Sequence, residues 1–128
     1  MRANAITEQE RASLAKLNRV LAYTKQTLVA YMNEEELDRL CGYIREYSLG
    51  DTPREVSPVS VDPALKSIDL MHFGWNIGKA FSKKRIHTAT FIKRVFAHAL
   101  RDLEISTIER KMSHTESECR IKLDDTIM

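Results

Sequence analysis

Leu14, Leu17, Leu21, Thr24, Leu28 and Tyr31 recur at intervals of 3, 4, 3, 4 and 3 residues. At ~3.6 residues per turn, that spacing draws one apolar seam along a helix of about six turns. Ala15, Ala22 and Val29 widen the stripe. Thr7-Glu-Gln-Glu10 just ahead of it is a capping-box pattern, in which Thr7 accepts from a first-turn amide and Glu10 reaches back. The seam has two uses. It is the core-facing stripe of a bundle helix, or it is a homodimer seam through Leu14, Leu17, Leu21 and Leu28, because a strict a/d pattern is narrower than most bundle faces.

Asn33-Glu-Glu-Glu36 marks a second helix start, with Asn33 as cap and three carboxylates in the positive first turn. Leu37, Leu40, Cys41, Ile44 and Tyr47 then line one face, and Gly50 is a natural stop. The short connection around Met32 and Asn33 predicts a helical hairpin over residues 1–50. Residues 51–62 hold Pro53 and Pro58, with Val56, Val59 and Val61 interleaved with polar residues. No partner strand is evident nearby, so this linker is expected to lie extended across the helices.

Asp62-Pro63 reads as a cap followed by Pro at the first helical position. Leu65, Ile68, Met71, His72 and Trp75 mark the buried face of the third helix. Gly74 and Gly78, four apart, predict a close approach by another backbone or a bend. His87 or Thr88 is expected to open a fourth helix with a broad stripe of Phe91, Ile92, Val95, Phe96, Ala99, Leu100 and Leu103. Ser106-Thr-Ile-Glu109 is a third capping box, predicting a short fifth helix to about Met112. Residues 113–128 read as a tail in which Cys119 to Leu123 alternates weakly. The alternative makes Leu103–Thr107 a strand that pairs with this segment as a small β-wing.

The fold expected is therefore all-α: a compact helical bundle of four to five helices with a helix-turn-helix-like second half, over a single domain 1–128. A hairpin (1–50), a linker (51–62), a basic helical module (63–112) and the tail (113–128) make it up. Composition agrees. The 128 residues suit one core, and 43% hydrophobic with 30% charged residues describe a globular chain. All three Pro lie between Pro53 and Pro63. Two cysteines, Cys41 and Cys119, form no Cys-x-x-Cys pair, and no apolar run approaches membrane-spanning length. A cytoplasmic protein without membrane contact is the expectation.

Catalytic chemistry finds no support in the pattern. His72, His87, His98 and His114 are scattered, no two at the i, i+4 spacing of a helical zinc pair. Ordinary packing accounts for them, and no metal site, cofactor or catalytic residue is expected. No phosphate-binding glycine motif or nucleophile elbow is present. The acidic run at Glu34–Glu36 is a helix start rather than a site.

Charge distribution is more informative than the net +2. Residues 1–62 carry 8 Lys and Arg against 10 Asp and Glu, a net −2; residues 63–128 carry 12 against 8, a net +4. Within Lys79–Arg94 six cations occur with no acid: Lys79, Lys83, Lys84, Arg85, Lys93 and Arg94. Solvated surfaces normally mix signs. Cations at a helix–turn–helix corner neutralise phosphates, and the start of the second helix adds free N–H groups. Ser82, Thr88 and Thr90 are candidate phosphate donors, and His87, Thr88, Thr90, Lys93 and Arg94 candidate base readers.

Ile68-Asp-Leu-Met-His-Phe, Ala80-Phe, Phe91-Ile-Lys-Arg-Val-Phe, Leu103 and Ile108-Glu-Arg-Lys111 together resemble the C-terminal helical module of RteC-type regulators of conjugative elements. The resemblance spans residues 68–111, under half the chain, and residues 1–62 have no part in it. It implies a helical DNA-binding activator of mobile-element origin. Two functions are expected to compete. One is a small regulatory protein that binds double-stranded DNA. The other is an inhibitor or adaptor that sets its basic face in a nucleic-acid channel, or against an acidic face, of a larger protein.

Overall fold

Asn33 caps as its sequence predicts: its Oδ1 accepts from the Glu36 N–H at 2.8 Å. In the computed structural model, which describes residues 8–50, 53, 55–114, 119–124 and 127, five helices follow in order. They are α1 (Glu8–Leu28), α2 (Glu34–Ser48), α3 (Ser67–Ala80), α4 (Arg85–Val95) and α5 (Ile105–Lys111). No described residue lies in a strand. The Thr7 capping box falls partly outside the described residues.

The Leu14–Tyr31 seam divides along its length. Val20, Leu21, Thr24 and Leu28 are buried where α1 packs on α2 and α3. Thr24 satisfies its own hydroxyl by donating to the Val20 carbonyl at 2.8 Å. Nearer the N-terminus α1 outruns its neighbours, and Leu14 is 53% exposed. A homodimer through all four leucines is thus corrected. Leu21 and Leu28 belong to the core, and only Leu14 and Leu17 face outward to any degree.

Residues 56–62 of the linker lie extended across α2, as expected, while 51, 52 and 54 fall outside the described residues. Arg39 donates to the Ser57 and Pro58 carbonyls, and Glu36 Oε1 accepts from the Ser60 N–H. The Val59 N–H bonds the Val95 carbonyl at 2.9 Å, tying the linker to the end of α4.

Helix α3 starts later than Asp62-Pro63 predicts. Asp62 instead closes a separate turn, accepting from the Ala64 N–H. Lys66 is extended, and Asp69 in the first turn of α3 reaches back to the Lys66 N–H at 2.8 Å. Most of α3 is buried, which makes it the central element. Its two glycines explain how α4 comes so near. A Cβ on Gly74 would sit 2.5 Å from Ile92 Cγ2, and one on Gly78 closer still to Thr88 Oγ1. The helical cost of two glycines is offset by this contact.

Helix α3 ends in a hydrogen-bonded reversal. Lys83 N–H bonds the Gly78 carbonyl, Ser82 N–H bonds that of Lys79, and Ser82 takes φ 58°. This is the paired geometry of a Schellman ending, with Ser in the place glycine usually fills. It sends the chain straight into α4, which opens at Arg85 rather than at His87 or Thr88.

Aromatic rings fill the interior. Tyr47 stacks on Phe91 at 4.2 Å between centroids and meets Phe81 edge-on; Phe73 meets Phe96 edge-on. Tyr47 also shares a 2.7 Å hydroxyl contact with Thr88. Burial pushes the Tyr47 phenol up to about 12, while the Thr88 contact acts in the opposite direction. The unfolded phenol ionises near 10. Stability from Tyr47 is therefore complete below pH ~10 and is lost as pH rises toward ~12, amounting to roughly 2–3 kcal/mol. Denaturant unfolding at stepped pH is expected to show this fall, and Tyr47→Phe to make it shallower by that amount.

Ile105–Lys111 is helical, so the β-wing is corrected: its first strand does not exist. The segment is held as helix from two sides. Lys93 Nζ donates to the carbonyls of Leu100, Arg101 and Leu103 at 2.7, 3.3 and 2.6 Å, pinning the turn before α5. Ile108 and Met112 are then fully buried. Glu104, not Ser106, flanks the helix start.

Candidate nucleic-acid interface

The basic corner is built by the α3–α4 reversal. Lys84 flanks α4 with no side-chain cap, and no acid occupies its first turn. The N–H groups of Arg85, Ile86 and His87 therefore precede the first intrahelical bond, which Thr88 N–H makes to the Lys84 carbonyl. Lys79, Lys84 and His87 are exposed around this end; Lys83 is half-buried, its ammonium 5.3 Å from the Tyr47 ring centroid. No ion pair to Lys79, Lys83 or Lys84 occurs among the described residues. Positive charge and uncapped amides together make a surface suited to oxyanions.

The nine candidate side chains do not act together. Lys79, Lys83, Lys84 and His87 lie at the corner. Thr90 is half-buried and donates to the Ile86 carbonyl at 2.8 Å. Thr88 is 1% exposed between Tyr47 and Gly78, so it is corrected from phosphate or base contact to core. Lys93 is engaged by three carbonyls, and Arg94 donates to the Pro53 carbonyl. Both are corrected from base readers to braces.

Arg85 is a brace as well. Its guanidinium lies 5.0 Å from the Trp75 ring centroid and donates to Ser113 Oγ at 2.9 Å and to the Glu109 carbonyl. That reach fastens the end of α5 beside the start of α4. It brings Arg110 and Lys111, both exposed, toward the same corner. Their basic character is visible in the sequence, but the approach of their helix end to Arg85 depends on the α4–α5 packing. Removing a charged donor from such acceptors costs about 1.5–3 kcal/mol. Arg85→Ala is expected to lower thermal stability by that amount, whereas Lys84→Ala should leave it within about 0.5 kcal/mol. Calorimetry of the two variants checks the distinction.

Beside the corner, a groove of about 790 Å³ opens between α1 and the ends of α2 and α3, lined by Leu14, Leu17, Leu49 and Phe81 among others. Leu49 is 86% exposed. Elsewhere His98 is exposed, while His72 is buried against the tail. No group of three or more His, Cys, Asp or Glu among the described residues is disposed to hold a metal ion. No helix among them is long and apolar enough to cross a membrane.

No family model matches the chain, and neither a curated protein nor a solved structure matches it.

Proposed function

We propose that this protein binds double-stranded DNA through phosphate contacts at the α3–α4 corner. The observation that carries the reading is the uncapped α4 N-terminus, ringed by Lys79, Lys83 and Lys84 with no described carboxylate paired to them. Arg110 and Lys111 extend the surface across α5. On this reading the first turn of α4 meets the phosphate backbone, and Ile86 and His87, both exposed, are the side chains offered to base edges. The candidate readers farther along α4 are engaged within the fold, so phosphate contact dominates and sequence preference is modest. The resemblance to the RteC-type module supports the finer proposal of a transcription regulator from a mobile element. Titrating a labelled duplex at low salt tests the reading. Lys79→Ala and Lys84→Ala should weaken binding to every duplex alike. A folded protein that binds no duplex there, host genomic fragments included, would remove it.

One observation favours an inhibitor or adaptor bound to a larger protein, through an apolar surface rather than the basic face expected from the sequence. The groove between α1 and α2 leaves Leu14 and Leu49 in solvent. A partner seated there would stay bound at high salt and be lost on Leu14→Glu, with Lys84→Ala having no effect.

A further inference from the structure

Three polar side chains on the most buried helix are almost inaccessible: Asp69, His72 and Asn76, each 1% exposed. At i, i+3 and i+7 they form one stripe of α3. Burying such groups without partners is costly. Most of their partners are main-chain atoms of the C-terminal tail; Asp69 also accepts from the Lys66 N–H, and Asn76 also donates to the Tyr23 hydroxyl, each at 2.8 Å. Asp69 Oδ1 accepts from the N–H groups of Arg120 and Ile121 at 2.6 and 3.0 Å. His72 Nδ1 stands 2.8 Å from the Ile121 carbonyl, and Nε2 stands 2.7 Å from that of His114. A neutral imidazole donates to one of these; the doubly protonated ring donates to both. Asn76 donates to the Lys122 carbonyl and accepts from the Asp124 N–H, at 2.8 and 2.7 Å. Within residues 119–124 Ile121 is the one aliphatic side chain that is buried, and Ile127 beyond them is buried as well.

We propose that this face of α3 is a peptide-binding groove. The chain's own residues 119–124 occupy it as an exchangeable ligand, and its ligand in trans is the same segment of a second copy. The stripe reads the N–H groups of Arg120, Ile121 and Asp124 and the C=O groups of Ile121 and Lys122, so it recognises the main chain of a segment bent at Arg120 and Ile121, with Ile121 as its aliphatic anchor. An apolar floor would resist opening. A floor of Asp, His and Asn is solvated when the segment leaves, which lowers the cost of release. The tail of a second copy offers identical atoms, so exchange is nearly neutral in contact energy.

The test uses a fluorescent peptide of residues 119–128 and the full chain. The tethered tail competes at an effective concentration of order millimolar. Peptide affinity is therefore expected to rise at least tenfold in full-length Ile121→Asp, whose own tail loses its anchor. Adding Asn76→Ala should abolish that gain. Hydrogen exchange on the wild type tests the same claim without any variant. The Arg120, Ile121 and Asp124 amides should exchange at least tenfold faster than those of Leu70 and Phe96, and faster again with excess peptide. Tail amides that exchange at the rate of Leu70, with no response to peptide, would overturn the proposal. So would a folded Ile121→Asp protein that binds no peptide. Neither result depends on DNA binding.

Discussion

Truncating Phe96 to Ala is expected to lower the unfolding free energy by about 3–5 kcal/mol. Phe96 ends α4 at the junction with the turn that leads to α5, and it is fully buried. Its ring meets Phe73 edge-on at 6.1 Å between centroids, and Phe73 in turn stacks on Tyr23. Losing the ring therefore opens a cavity where α1, α3 and α4 converge. The neighbours have little freedom to close it, because Gly74 and Gly78 already hold α4 hard against α3. For a domain of this size the loss is a large fraction of total stability. Urea unfolding followed by circular dichroism should show a much lower midpoint. A variant with an unchanged midpoint would place Phe96 outside the core.

The helical architecture was legible because it rests on local signals. Asn33 and the acids after it start α2, Gly50 follows its end, and the two glycines of α3 mark the tightest helix contact. The errors have a common physical origin. Asp62-Pro63 has the chemistry of a helix start, but Asp69 supports a competing start capped four residues later at Lys66, and the chain uses it. The leucine seam of α1 is continuous in sequence, yet its fate changes halfway, because α2 and α3 cover only its later turns. At the basic stretch, residue type reveals charge but not engagement. Arg85, Lys93 and Arg94 reach carbonyls 7 to 41 residues away. No local pattern encodes those partners. The tail groove was illegible for the same reason. Asp69, His72 and Asn76 look like ordinary polar positions until residues about 50 places later are laid over them.

Affinity for duplex DNA should depend steeply on salt. Each phosphate neutralised by a lysine or arginine releases condensed counterions, with a slope of about −0.9 in log affinity against log salt. Lys79, Lys83, Lys84, Arg110 and Lys111 are the cations left for this role once the braces are set aside. Four or five contacts give a slope near −4, so a tenfold rise in salt weakens binding by about 10⁴. Each substitution by Ala at Lys79, Lys84, Arg110 or Lys111 should flatten the slope by about 0.9 while leaving the fold intact. Arg85→Ala should behave differently, costing stability through α5.

The most direct measurement is the salt dependence of duplex binding by wild type and by the quadruple variant Lys79→Ala, Lys84→Ala, Arg110→Ala, Lys111→Ala. A wild-type slope near −4 that collapses to about −1 or shallower in the folded variant is the expected result. A slope that the quadruple variant leaves unchanged, or no duplex binding by the wild type at low salt, would contradict it.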